Sequence, residues 1–506
     1  MNKMKKIALI GVIVVLLPLF LACGGSKSNT DNNKSDTSAV DISDGASQNT
    51  TTAENIFDGL DEKTYDGREF NIMSRASQVA QFSVEEENGD VINDAVFKRN
   101  QTVEDKYDVK INVIPVPGEW GDQDTFINTL KASIMSGDGA YDLVDGYEAY
   151  IGNMISAGLY LNLLDVPHLR LTEPWWSQNA VNELTINGKL YIVPGDITTN
   201  LWETIYVIFF NKGMLKNFNL DDPYTLVKNG EWTLDKMIEM CKGVSADLNG
   251  DGKMYSEDRY GALFDDDLFF NNFHNAFNIP TTLKDDKGVP YFNLGSPEVL
   301  NLAQTMYNLA TSTDSMTYTG QNPDFKKLIS SNQYDQLLAM VLNMFADNQI
   351  LFFPTTLSDA EKLRATETDF GILPYPKQTK DQAQYKTSSR DQHTMFGIPV
   401  DVKDVDFTGL ITEALCVASN KIVVPAYYDI ALKSKYARDD ESKDMLDIIR
   451  QGLSCDFGIV FSSQLGNAGW MVRTCVNDAS FKFASEYDQN INKYQKALDT
   501  FLAAFQ

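Results

Sequence analysis

The sequence predicts an α/β protein of two lobes, the second richer in helix. Three observations carry this. The chain has 506 residues, more than one ordinary domain holds. Between residues 69 and 144 the hydrophobic pattern alternates strand and helix, the signature of a sheet with helices packed on it. From about residue 213 to 365, and again from 408 to 506, the pattern is mainly helical.

The chain opens with Lys3, Lys5 and Lys6, then an apolar run of 16 residues from Ile7 to Ala22. A bilayer-crossing helix needs about 20 residues, so residues 1–22 read as a signal peptide. Leu21-Ala22-Cys23 resembles a bacterial lipobox, with Phe20 and Leu21 departing from the commonest residues. That resemblance implies a lipid (palmitate-type) modification of Cys23 and anchoring to the outer face of the cell membrane without a span. Residues 23–60 then form the expected linker. Ser, Asn, Asp, Thr and Gly dominate it, and it has too little apolar surface to offset the entropy of ordering.

Folded sequence begins near Tyr65. Glu69–Met73 alternates as a strand, and Ile92, Val96, Val103 and Tyr107 lie on one helical stripe. Val109–Ile114 is a second strand. Phe126, Leu130 and Ile134 mark a second helix, with Gly137 placed as its C-terminal cap. Tyr141–Val144 is a third strand. In such sheets ligands bind beyond the carboxyl ends of the strands, which selects the loops at Ser74-Arg75, Pro117–Trp120 and Asp145–Tyr147. Asn187-Gly188 predicts a tight turn between Leu184–Ile186 and Lys189–Val193. Tyr206–Phe210 and Phe370–Pro374 read as further strands, and Leu410–Ser419 and Ile491–Phe505 as helices. No internal repeat and no second membrane-crossing segment is apparent.

Forty-three Lys and Arg against 70 Asp and Glu give a net charge of −27. Such a chain repels nucleic-acid phosphates, so no nucleic-acid partner is expected. Cys241, Cys416, Cys455 and Cys475 are expected as buried free thiols or at most one disulfide. Their spacing and the scattered His168, His274 and His393 fit no zinc framework. There is no Gly-x-Ser-x-Gly elbow, His-Glu-x-x-His or P-loop, so no enzyme is expected.

Four segments, in order, carry a family resemblance: Asn187–Pro194, Phe209–Leu215, Trp232–Asp235 and Asp369–Pro376. They are similar to motifs of the family 1 extracellular solute-binding proteins, the maltose- and oligosaccharide-binding proteins of bacterial importers; Ile192 stands where that family usually has Gly. The resemblance spans about residue 65 to the end. It implies a hinged, two-lobed type II periplasmic-binding-protein-like fold. Lobe 1 is expected over residues 61–200 and 375–410. Lobe 2 with the C-terminal helices is expected over 201–374 and 411–506. The expected function is delivery of a small solute, a carbohydrate or oligosaccharide, to the separate membrane permease of an ABC importer, by a monomer. The alternatives are a secreted carbohydrate-active enzyme, for which no carboxylate pair is marked, or a cell-surface adhesin.

Sugars need aromatic platforms and planar polar groups. Trp120, Trp202 and Trp470 are the candidate platforms, with Asp145, Tyr147, Asp196 and Arg390 as polar partners. Trp175 and Trp176 fit either a site or the core, and Trp232 fits packing. One further motif has its own chemistry. Asp247, Asn249 and Asp251 occupy positions 1, 3 and 5 of a twelve-residue calcium loop. Gly252 makes the sharp turn, Lys253 offers a carbonyl and Asp258 closes the loop. The expected role of Ca2+ there is structural.

Overall fold

The computed structural model describes residues 56–312, 316–428 and 439–506. The expected signal peptide, Cys23 and the linker up to residue 55 lie outside the described residues.

In chain order the strands are β1 (Arg68–Arg75), β2 (Val109–Val116), β3 (Leu143–Tyr147), β4 (Tyr206–Asn211), β5 (Tyr260–Phe264), β6 (Thr282–Lys284), β7 (Pro290–Phe292), β8 (Met316–Tyr318), β9 (Ile350–Thr356), β10 (Phe370–Leu373) and β11 (Thr394–Gly397). The helices used below are α1 (Val91–Tyr107), α2 (Gln123–Ser136), α3 (Glu148–Ser156), α4 (Leu234–Cys241), α5 (Val405–Pro425), α6 (Met471–Cys475) and α7 (Phe483–Leu502).

Two sheets organise the body. The first has the order β11-β3-β1-β2. Its sequence-local strands β1, β2 and β3 run parallel, while β11 joins antiparallel to β3 from far down the chain. The second has the order β10-β4-β9-β5-β8, with β5 parallel to both neighbours and β4 antiparallel to β9 and β10. The small hairpin β6–β7 stands apart.

Local chemistry sets the ends of the crossover helices. Asp90 caps α1 by accepting from the amides of Ile92 and Asn93, and Asp108 closes it in a left-handed conformation. Gly137 ends α2 at φ 64, its amide bonding to the carbonyls of Ser133 and Ile134, as the sequence predicts. Helix α5, capped by Asp404, is buried along nearly its whole length and packs on α1. The stretch Val405–Tyr428 is long and apolar enough to cross a membrane, but 83% of its apolar window is buried inside the body, which makes it a core helix.

Buried ion pairs register the first sheet. The Arg75 guanidinium lies 3.2 Å from Asp145 Oδ1, and Ser74 and Thr394 hydroxyls donate to the same carboxylate, so one group ties β1, β3 and β11. Glu413 on α5 does similar work against residues 170–176. Its oxygens accept from both Trp175 Nε1 and Trp176 Nε1 at 2.9 Å, and from Arg170 Nε at 3.0 Å.

Two sequence expectations change. The stretch 213–365, read as mainly helical, contributes β5 to β9. Strand β9 is buried at every position, so its apolar run has no alternation to betray it. The turn at Asn187-Gly188 forms with both residues at positive φ, but its arms are not strands. Only Ile186 and Lys189 pair, and Gln178–Leu184 is a helix. Cys241, Cys416, Cys455 and Cys475 are free thiols, in keeping with the first of the two states read from the sequence.

Candidate functional site

The polar and aromatic groups of interest gather where strands end. Beyond β2 the chain makes a short turn that holds Trp120 half exposed, at 47%. Tyr147 closes β3, its ring stacked on Tyr150 at 5.4 Å beneath the Arg75 guanidinium. Glu148 opens α3, buried, with an oxygen 2.9 Å from His393 Nδ1. Beyond β5 come Asp265, Asp266 and Asp267. Ends of parallel strands leave room for a ligand because the next element turns away there.

Two later segments complete the cluster. The stretch leading into β11 brings Arg390, whose Nη2 lies 2.7 Å from Asp266 Oδ2 and whose guanidinium is 5.9 Å from the Phe269 ring. Asp391 follows it. Near the C-terminus, Trp470 meets Trp120 edge to face, with centroids 6.1 Å apart. Arg473, one turn later on α6, stacks on Trp470 at 4.4 Å and holds Nη1 3.9 Å from Asp391 Oδ2. Asn477 Nδ2 donates to Asp267 Oδ2 at 2.7 Å. The structure thus brings Trp120, Trp470 and Arg390 together through Arg473 and Asp391, with Tyr147 alongside.

Burial and like-charge crowding shape the electrostatics. Burial, then the Asp266 and Asp359 carboxylates, pushes Asp265 up to about 8. Asp267 is pushed up to about 6 by burial and Asp266, against the pull of Arg473. Asp391 is raised by burial, with Glu148 and Asp266 adding repulsion that Arg473 and Arg390 partly offset. Burial alone would lower the His393 imidazole; the Glu148 carboxylate outweighs it and raises it. Several buried polar atoms here have no hydrogen-bond partner: Trp470 Nε1, Arg473 Nε and Nη1, and Asp265 Oδ1. Buried donors and acceptors are ordinarily satisfied, so these atoms, unpartnered among the described residues, are open to a further polar partner.

The other selected residues lie elsewhere. Asp145 is fully buried and spends its oxygens on Arg75, Ser74 and Thr394, which makes it a sheet tie. Asp196 is buried against Asn420, and burial pushes it up to about 6. Trp202 packs beneath the Arg450 guanidinium at 4.9 Å. Trp232 is fully buried, its indole donating to the Pro374 carbonyl, and Trp175 and Trp176 are held by Glu413. Sequence reasoning missed Asp265–Asp267, Asp391, Arg473 and Asn477. The available signals were an acidic triplet directly after an apolar strand and the one-turn spacing of Trp470 and Arg473. A surface depression of about 530 Å³ lined by Asp221, Glu231, Lys236 and Lys380 has no aromatic wall and lies apart from this cluster.

In the loop 247–258, Gly250 and Gly252 adopt φ 76 and 81, the left-handed turns such a loop needs. Asp247 accepts from the amides of Gly250 and Gly252, and Asp258 from those of Leu248 and Tyr255. The donor set is all oxygen, as calcium requires. Among the described residues no three His, Cys, Asp or Glu side chains converge as metal ligands; the expected donors of this loop also include the Asn249 amide oxygen and the Lys253 carbonyl.

Comparison with solved structures finds the same fold. A cyclo/maltodextrin-binding protein complexed with maltotetraose aligns with TM-score 0.53 at 14% identity, covering 87% of this chain and 97% of that one. UspC of M. tuberculosis aligns with TM-score 0.54 at 12% identity, covering 86% and 100%. An ABC substrate-binding protein of Listeria monocytogenes in complex with cycloalternan aligns with TM-score 0.50 at 12% identity, covering 87% and 99%. At these identities the likeness is one of two-lobed α/β fold. A search of curated protein sequences finds no match. A family model described as bacterial extracellular solute-binding protein matches residues 99–404. With strand ends, aromatic pair and charged fork in place, the chain belongs to the bacterial extracellular solute-binding proteins.

Proposed function

We propose that this protein captures a hydroxylated small solute, a carbohydrate, and hands it unchanged to the membrane permease of an ABC importer. The observation that carries the reading is the pairing of Trp120 and Trp470 beside the Arg473–Asp391 fork. Indole faces suit the apolar C–H face of a sugar ring, and a neighbouring guanidinium and carboxylate can donate to and accept from adjacent hydroxyls. Maltotetraose and cycloalternan in two neighbours of the same fold support a carbohydrate. Lipid attachment at Cys23 would hold the body, as a monomer, at the outer face of the membrane. Calcium, held by Asp247, Asn249, Asp251, the Lys253 carbonyl and Asp258, would pin the loop after α4 in a structural role.

The test is thermal unfolding of the mature protein against a panel of mono- and oligosaccharides, with calcium or with a chelator. A ligand that binds the native state raises the midpoint by mass action. A rise with one sugar class, with the sugar recovered intact, supports the reading. A consumed sugar refutes the non-enzymatic role, and no rise with any sugar refutes the carbohydrate. A rise with calcium alone, lost in Asp247→Asn, supports the loop site.

A further inference from the structure

The acidic side of the site holds more carboxyl groups than it has cations to pair them. Asp266 pairs with Arg390 at 2.7 Å, Glu148 with His393 at 2.9 Å, and Asp391 faces Arg473 at 3.9 Å. Asp265 and Asp267 make no ion pair among the described residues. Asp267 has the neutral amide of Asn477, and Asp265 Oδ1 has no hydrogen-bond partner although the residue is only 8% exposed. Two tyrosines lie close to them: Tyr318, buried, feels all three carboxyls, and Tyr334, half exposed, feels Asp266 and Asp267. Buried carboxylates without a cation attract positive charge where water is scarce. A few residues away the preference reverses: Trp470 Nε1, on a residue 6% exposed, and Arg473 Nε and Nη1 are donors without acceptors.

Resting on the solute-binding reading above, we propose that the solute is an amino sugar with a free amine, its ammonium seated among Asp265, Asp266 and Asp267 and its hydroxyl oxygens taking the N–H groups of Trp470 and Arg473. This arrangement satisfies both sets of unpartnered atoms with one molecule. A neutral sugar leaves the carboxyl crowding unrelieved; an acidic sugar adds to it.

The proposal has a protonic consequence. The charged groups around Asp265 are Asp266, Asp359 and Arg390, with Tyr375 and Tyr318 nearby; around Asp267 they are Asp266 and Arg473. Crowding and burial keep Asp265 largely protonated at neutral pH. An arriving ammonium favours the ionised form, so the Asp265 proton passes to the buffer as the ion pair forms.

The experiment uses three matched disaccharides with the mature protein: a β-1,4-linked glucosamine dimer, its N-acetylated form and the corresponding glucose dimer, each also in galacto configuration. Calorimetric titration at pH 7 in two buffers of different ionisation enthalpy reads affinity and proton release together. The amine form should bind at least about tenfold tighter than the other two, releasing up to about one proton. Asp267→Asn, which keeps a hydrogen-bonding partner for Asn477 and removes a carboxylate that burial disfavours at pH 7, should lose that preference while unfolding no lower than the wild-type temperature. Equal or tighter binding of the acetylated or plain dimer overturns the amine and leaves carbohydrate binding standing. Binding of none of the dimers while another neutral sugar raises the unfolding midpoint also overturns it. Binding of no sugar at all removes both readings.

Discussion

Replacing Glu413 with alanine tests the accounting of buried hydrogen bonds directly. The carboxylate is fully buried and receives the indole N–H groups of Trp175 and Trp176, the Arg170 Nε and, at 3.2 Å, the Arg170 backbone amide. Arg170 keeps 27% of its side chain exposed and can regain water. The indoles, 8% and 1% exposed, cannot. Each stranded buried donor costs about 1–3 kcal/mol, which for two indoles centres on about 4 kcal/mol, within the ~3–5 kcal/mol range for breaking a buried pair. Glu413→Gln keeps the volume but turns an N–H₂ toward one donor, so about half that cost is expected. Urea unfolding reads the difference as a fall in midpoint at unchanged slope. A loss below about 1 kcal/mol for Glu413→Ala would refute the claim that this carboxylate fastens residues 170–176 to α5.

Two further outcomes follow from the site. Trp120→Ala should weaken solute binding by about 1–2 kcal/mol while changing stability by less than about 0.5 kcal/mol, because the ring is already 47% exposed; equilibrium titration and urea unfolding on one preparation check both. Asp265, Asp267 and His393 all bind their protons more tightly folded than unfolded. For the two carboxyls the stability so gained is complete below their ordinary value near 3.8 and is lost as pH rises through about 6 and about 8. For His393 it is complete below its ordinary 6.5 and is lost above. The solute-free body should therefore lose stability between pH 5 and 8, and Asp265→Asn should flatten that decline; a slope unchanged in the variant would refute the assignment.

How much of this could be read beforehand depended on whether a signal was local. The parallel β1, β2 and β3 and their crossover helices announce themselves because each has its own period and its own cap, Asp90 for α1 and Gly137 for α2. Trp120 was legible as a residue beyond a strand end, and Trp470 as an aromatic in a Gly/Asn loop. Their meeting was not, since 350 positions separate them. Asp145 stands where a ligand residue belongs, but Arg75, one strand over, claims its carboxylate, and only register reveals that. Strand β9, apolar at all but its threonine end, carries no alternation, so period alone does not separate it from helix. Asp265–Asp267 look like any acidic surface loop until Arg390 and Asn477 fold over them.

The late arrival of β11 has a consequence in time. The first sheet lacks its fourth strand until Thr394–Gly397 has been made, although β3 ends at Tyr147. At ribosomal rates of about 5–20 residues per second, the intervening chain takes roughly 12–50 s to synthesise. Through that interval Asp145 lacks Thr394, Glu148 lacks His393, and α1 lacks the long apolar helix that covers it. A chain wired this way cannot complete its first sheet until most of its length exists.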